Sequence, residues 1–205
     1  MTRSLALSLT TLALVGPLAA GAVEEPAYTV QRSLPHDVEI RQYDAYVVAE
    51  VRIEASADDA GREAFPILAG YIFGKNKGER RMAMTAPVTQ TPEPVKLAMT
   101  APVTQTPAGD GFIVQFVLPR DVTLATAPEP LDARVRLREE PARRLAAIRY
   151  SGFWSEANCQ THLARLQQAL RDAGIAWSGE PVFSRYNDPF TPWFLRRNEI
   201  WLVLP

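Results

Sequence analysis

A single cysteine, Cys159, stands among 205 residues. No intrachain disulfide can form, so the fold must be held by its core. Histidine is almost as scarce: His36 and His162 are the only two, which leaves few nitrogen ligands for a metal centre. The chain has no G-x-S-x-G elbow, no H-E-x-x-H and no glycine-rich phosphate loop, and it has no C-x-x-C-H for covalent haem attachment. Adjacent carboxylates occur at Asp58-Asp59 and Glu139-Glu140, but neighbours on a helix or strand point apart and do not converge on a substrate. Charge of neither sign predominates. With 22 basic against 23 acidic residues, there is no electrostatic reason to expect nucleic acid or an anionic membrane as partner.

Long apolar runs are missing too, except at the start. Arg3 precedes the apolar stretch Leu5–Leu18, Gly16-Pro17 interrupts it, and Ala20-Gly21-Ala22 supplies an A-x-A cleavage site. This pattern predicts a secretory signal peptide over residues 1–22, too short and wrongly flanked for a stable span. The expected mature protein is a single domain over 23–205, exported to the periplasm or secreted, without a membrane span.

What is present is a recurring order of strands and helices. Tyr28–Ser33 and Val38–Val51 carry strand signals, with Val38 and Ile40 alternating against Glu39 and Arg41. Ser56-Ala-Asp-Asp59 has the form of a capping box. Behind it Ala60, Ala64, Ile67, Leu68, Tyr71 and Ile72 share a helical face, and Gly74 ends the run. Pro66 inside this pattern predicts a kink or a late helix start. Strands are expected at 82–90, 96–105, Gly111–Pro119, Ala133–Arg138 and Leu145–Tyr150. A second helix is expected over Ser155–Ala173 with Cys159, Leu163, Leu166 and Leu170 as its core stripe, and strands again at Pro181–Tyr186 and Glu199–Leu204. Few helices among many strands predict an α+β fold with a mostly antiparallel sheet.

Ten residues, AMTAPVTQTP, occur twice, as Ala83–Pro92 and Ala98–Pro107. Two copies are too few for a solenoid. Thr91-Pro-Glu-Pro94 between them reads as a turn, so the copies are expected to pair as a hairpin, with Val88 opposite Leu97 and Ala86 opposite Met99. One face of that hairpin would be a wall of Met82, Met84, Met99, Leu, Val and Ala. Pro87 and Pro102 favour an edge or a bulge, where a sheet opens. Such a wall suits a flat apolar ligand; it equally suits ordinary core beneath the first helix.

The stretches VEIRQYDAYVVAEV, YIFGKNK, MAMTAPVTQ, RYSGFW and YNDPFTPWFLRRNEIWLVL together resemble the SOUL family of haem-binding proteins, from about Tyr28 to Leu204. The resemblance implies a distorted antiparallel β-barrel or curved sheet with two α-helices, built from two similar strand–helix–strand halves. It also implies reversible, non-covalent binding of haem or a related tetrapyrrole, a planar hydrophobic small molecule, in an apolar groove without catalysis. On that basis the expected groove is lined by Phe65, Leu68 and Ile72 from the first helix, by Met82, Met84 and Met99, and by Trp193 and Phe194. Lys75, Lys77, Arg80, Arg81 and Arg196-Arg197 are candidates for the propionates. No iron ligand is assigned. Some family members place His before the Tyr of the E-I-R-x-Y stretch, where this chain has Gln42. His36 reads as an exposed turn residue, and His162 as a half-buried structural one. Two other readings stay open: an effector-type module for other hydrophobic small molecules, and a hydrolase or tetrapyrrole-modifying enzyme whose carboxylates the sequence does not place, with Glu199 and Tyr71 as the positions that would test it.

Overall fold

A computed structural model describes residues 23–78, 94–188 and 190–205. The leader, the first copy of the repeat, and with it Met82, Met84, Arg80 and Arg81, lie outside the described residues.

The described chain forms nine strands and two α-helices: β1 (Tyr28–Leu34), β2 (Val38–Tyr43), β3 (Tyr46–Ile53), α1 (Ala57–Ile72), β4 (Val103–Ala108), β5 (Gly111–Val117), β6 (Arg136–Glu140), β7 (Arg143–Tyr150), α2 (Glu156–Asp172), β8 (Ser178–Arg185) and β9 (Asn198–Val203). Both helices start where the sequence places a serine cap. Ser56 Oγ accepts from the Asp59 amide and Ser155 Oγ from the Asn158 amide, each satisfying one free N–H of a first turn. Proline does not delay α1, which runs from Ala57 through Pro66 to Ile72.

All pairings are antiparallel, in one sheet of order β1-β2-β7-β9-β8-β4-β5-β3-β6. Two similar halves are visible in it. In one, β3-α1-β4-β5 folds so that β5 lies between β3 and β4; in the other, β7-α2-β8-β9 folds so that β9 lies between β7 and β8. They meet where β4 pairs with β8, with Thr104 opposite Ser184.

The sheet is strongly curled. Only Asp44-Ala45 separate β2 from β3, and only Pro141-Ala142 separate β6 from β7, although those strands lie towards opposite ends of the sheet order. Three peptide units reach about 11 Å at most, so the ends must approach each other. Tyr43 and Tyr46 bear this out, with ring centroids 6.5 Å apart. The sheet is curved, not a closed barrel, since no ladder joins β1 to β6.

The hairpin expected between the two copies, with Val88 opposite Leu97 and Ala86 opposite Met99, involves residues outside the described ones, but the strand expected at 96–105 starts late. The second copy enters a strand only at Val103, and that strand is bonded to β5 on one side and β8 on the other. A two-residue loop decides the first partner. Gly109-Asp110 joins β4 to β5, with Gly109 at φ 63° in the position where tight hairpin turns require a positive φ. Upstream, the Leu97 amide bonds to the Ile72 carbonyl and the Ala101 amide to the Glu24 carbonyl.

Both helices cover the outer face. α1 buries Ala60, Ala64, Leu68, Ala69 and Ile72 against Ala49 and Val51 of β3 and against Val114 and Phe116 of β5. α2 buries Leu163, Leu166 and Leu170 against Ile148, Ile200 and Leu202. Inside the curl, Tyr43, Leu145, Ala147, Val182 and Trp201 form a third cluster.

Candidate functional site

Where the two halves meet, neither helix covers the sheet completely. The outward side chains of the seam are Val103 and Gln105 on β4 and Phe183 and Arg185 on β8, with Val103 directly opposite Arg185. A cavity of about 340 Å³ opens there. It lies between Gly61 and Phe65 of α1, Met99–Ala101, Val103 and Gln105, and the Arg185–Asp188 end of β8. Phe65 and Met99 are partly exposed on its wall, at 44% and 37%, and Phe65 meets Phe116 edge-on with centroids 5.5 Å apart. Gly61 keeps the floor open: a Cβ there would sit 3.1 Å from Arg185 Nη1 and 3.4 Å from Gln105 Oε1. Gln105 is fixed by donating from Nε2 to the Ala57 carbonyl at 2.8 Å.

Arg185 is the unusual group. Its Nε and Nη2 are buried without a hydrogen-bond partner. Its guanidinium carbon lies 3.6 Å from the Trp154 ring centre. Burial pushes its pKa down to about 10, only partly opposed by Cys159, Tyr150 and Asp58.

A second charged centre lies inside the curl and is fully paired. Glu199 is completely buried. It accepts from Arg41 Nη1 at 2.7 Å, Arg197 Nε at 3.0 Å, Tyr186 Oη at 2.9 Å and Trp201 Nε1 at 2.8 Å. Burial alone would raise its pKa, but the Arg41 hydrogen bond and the charges of Arg41 and Arg197 outweigh that and hold it below the ordinary value. Arg197 also bonds Glu25 at 2.8 Å, and Arg41 bonds Glu39 at 2.8 Å. In the other half the equivalent position on β5 is Gln115, which donates to Glu50 at 3.0 Å and Glu140 at 2.9 Å.

Of the side chains expected to form one groove, the structure brings Phe65 and Met99 together at the cavity. Leu68 and Ile72 are fully buried beneath α1 and do not line it, because they fall on the helix face turned towards the sheet. Trp193 and Phe194 lie on a separate exposed surface, where Trp193 stacks on Phe153 at 5.5 Å and meets Phe194 edge-on at 5.6 Å. Lys75 lays its side chain against Gly70 at the far end of α1, and Lys77 pairs with Glu129 at 2.6 Å. Neither lines the cavity. His36 sits exposed in the β1–β2 turn with φ 63°. His162 stacks on Tyr150 with centroids 4.3 Å apart. Cys159 is buried with Sγ 3.4 Å from Tyr150 Oη, and burial raises its pKa. No cluster of three or more His, Cys, Asp or Glu suited to a metal exists among the described residues. No described helix is long and apolar enough to cross a membrane. Arg185 was missed by sequence reasoning. Its signal was one cation closing an otherwise strand-like run, which carries no mark of what it will face.

Curled antiparallel sheet, paired halves and a cavity at their seam make this an α+β domain of two strand–helix–strand–strand halves. The chain belongs to the family described as SOUL heme-binding protein, whose model matches residues 23–203. It is 28% identical over 190 residues to Heme-binding protein 2 of Homo sapiens, covering 90% of this chain and 88% of that protein. Against Heme-binding protein 1 of Mus musculus it is 28% identical over 152 residues, covering 71% and 72%. The fold is also shared with a solved hydrolase from Listeria innocua (TM-score 0.58, 12% identity, 84% and 94% covered) and with the C-terminal domain of EcmrR (TM-score 0.52, 11% identity, 84% and 99% covered). At such identities the likeness is one of fold alone.

Proposed function

We propose that this protein binds haem or a related tetrapyrrole reversibly and non-covalently at the seam cavity, and acts as a carrier, buffer or sensor. The carrying observation is an apolar cavity, walled by Phe65, Met99 and Val103, that ends on Arg185, whose Nε and Nη2 are buried without a hydrogen-bond partner. Family membership and the haem-binding relatives support the ligand class.

The residues fit a tetrapyrrole in chemistry: apolar walls for the macrocycle and a cation for its acid groups. At about 340 Å³ the cavity is near the small end of ligand pockets, about 300–1,000 Å³, so the macrocycle enters by one edge and remains partly exposed. Iron contributes little in this reading. Neither histidine lines the cavity, and the thioether of Met99 is the one soft donor on its described wall.

Binding without turnover is the reading the polar groups favour. The Glu199 carboxylate is sealed and held by two arginines, and the Tyr71 hydroxyl donates to the Pro128 carbonyl at 2.9 Å. The leader pattern supports export to the periplasm or beyond, which the N-terminal sequence of the protein recovered from its host tests directly. The test of function is titration with hemin and with a metal-free porphyrin. Saturable one-site binding of both, with affinities within a few-fold, is expected. Binding of neither refutes the proposal.

A further inference from the structure

We propose that Arg185 anchors a carboxylate of the bound ligand inside the cavity, so that the site takes planar amphiphiles acid-end first and selects tetrapyrroles with free carboxylates over esterified or neutral ones. This rests on the reading of the seam cavity as the tetrapyrrole site.

The argument starts from a deficit. A guanidinium with Nε and Nη2 buried and unbonded forgoes hydrogen bonds that water would supply, and a buried charge without an ion-pair partner is destabilising. Nowhere among the described residues does a carboxylate come within ion-pair distance of Arg185. The contrast with the other buried arginine is sharp: Arg41 engages Glu199, Glu39 and Tyr43 at once.

Position adds to the demand for an anion. Trp154, which carries the guanidinium, immediately precedes Ser155, the N-cap of α2. Gly61, whose Cβ position abuts Nη1, lies in the second turn of α1. The cation therefore stands beside the start of α2, where the backbone dipole is itself positive, and against the second turn of α1. Trp154 stacking holds the guanidinium in place, and Nη1, the nitrogen that borders the floor at Gly61, is the one placed to donate to an entering carboxylate. The apolar wall of Phe65, Met99 and Val103 then receives the ring behind that acid group.

Protoporphyrin and its dimethyl ester test this, since they share the ring and differ in the acid groups. The wild type is expected to bind the free acid at least about tenfold more tightly than the ester. Arg185→Met should remove that gap by weakening the free acid alone, with far-UV circular dichroism confirming the fold. Equal wild-type affinities, or a gap that survives in a folded Arg185→Met protein, overturn the anchor and leave the cavity reading standing. Binding of neither porphyrin by the wild type overturns both. If Arg185→Met does not fold, the wild-type comparison of acid and ester decides alone.

Discussion

Thr104 and Ser184 face each other across the β4–β8 pair, and each is in turn opposite the polar residue of its own half, Gln115 for Thr104 and Glu199 for Ser184. The local symmetry of the two halves therefore reaches into the interior of the curl. One half centres on a neutral amide that donates to Glu50 and Glu140, carboxylates paired by Arg138 and Arg143, and the other on a carboxylate held directly by arginines from β2 and from the loop before β9. The ionic network is an elaboration of a shared plan, and it accounts for the first two expectations about stability.

Glu199→Ala leaves Arg41 buried beside a void and without its principal counter-charge. Removing one partner of a buried pair costs about 3–5 kcal/mol, and Arg41, Arg197, Tyr186 and Trp201 all lose an acceptor at once. Urea unfolding at neutral pH should show that loss as a lower midpoint. Glu199→Gln keeps the shape and some of the bonds, so its loss should be smaller.

Acid sensitivity follows from the same carboxylate. Its folded-state pKa lies below the unfolded value, about 4.3 for a free glutamate. Such a group contributes stability in full above the unfolded value, and loses it as pH falls from there through the folded pKa. Unfolding free energies measured from pH 6 down to 3 should fall steeply in the wild type, and less steeply in Glu199→Gln. Parallel curves for the two proteins would show that Glu199 does not govern the acid limb.

Much of this architecture is legible in the residues, and the division has a physical basis. The serine cap at 56 and the α2 stripe of Cys159, Leu163, Leu166 and Leu170 are set by neighbours a few positions away, and both are found as expected; the alternation in β2 holds, but its polar side faces the interior and buries Arg41. Pairing across the sheet is not local. The repeated AMTAPVTQTP has no feature that selects its partner, and the loop Gly109-Asp110 draws Val103–Ala108 onto β5. The unbroken run Val38–Val51 hides a passage at Asp44-Ala45 from one end of the sheet to the other. Helical periodicity marks Leu68 and Ile72 as apolar but does not say whether they meet a ligand or the sheet; they meet the sheet.

That last distinction separates binding from stability in a mutant series. Leu68→Ala empties a fully buried site and should cost about 2–5 kcal/mol. Phe65→Ala and Met99→Ala remove side chains already 44% and 37% exposed and should each cost about 1–2 kcal/mol. Porphyrin titrations should show the reverse order, with the Phe65 and Met99 variants losing several-fold in affinity and a folded Leu68 variant losing little. Unchanged affinity in both exposed-position variants would move the ligand away from the seam.

Gly61 offers the sharpest steric test, because it is the one position on α1 where the absence of a side chain keeps the cavity open. A leucine there gains helix propensity of about 0.8 kcal/mol over glycine. Its Cβ would press on Arg185 Nη1 at 3.1 Å and Gln105 Oε1 at 3.4 Å, side-chain ends held by Trp154 and by the Ala57 carbonyl, and each must yield by a few tenths of an ångström. The rest of the leucine side chain then occupies the volume between Phe65 and Val103. The crowding offsets the propensity gain, so thermal melting should place Gly61→Leu near the wild-type midpoint, while porphyrin affinity falls by about tenfold or more, the free energy of roughly one displaced ring contact. A variant that melts normally and binds as before would show that the ligand does not use this cavity.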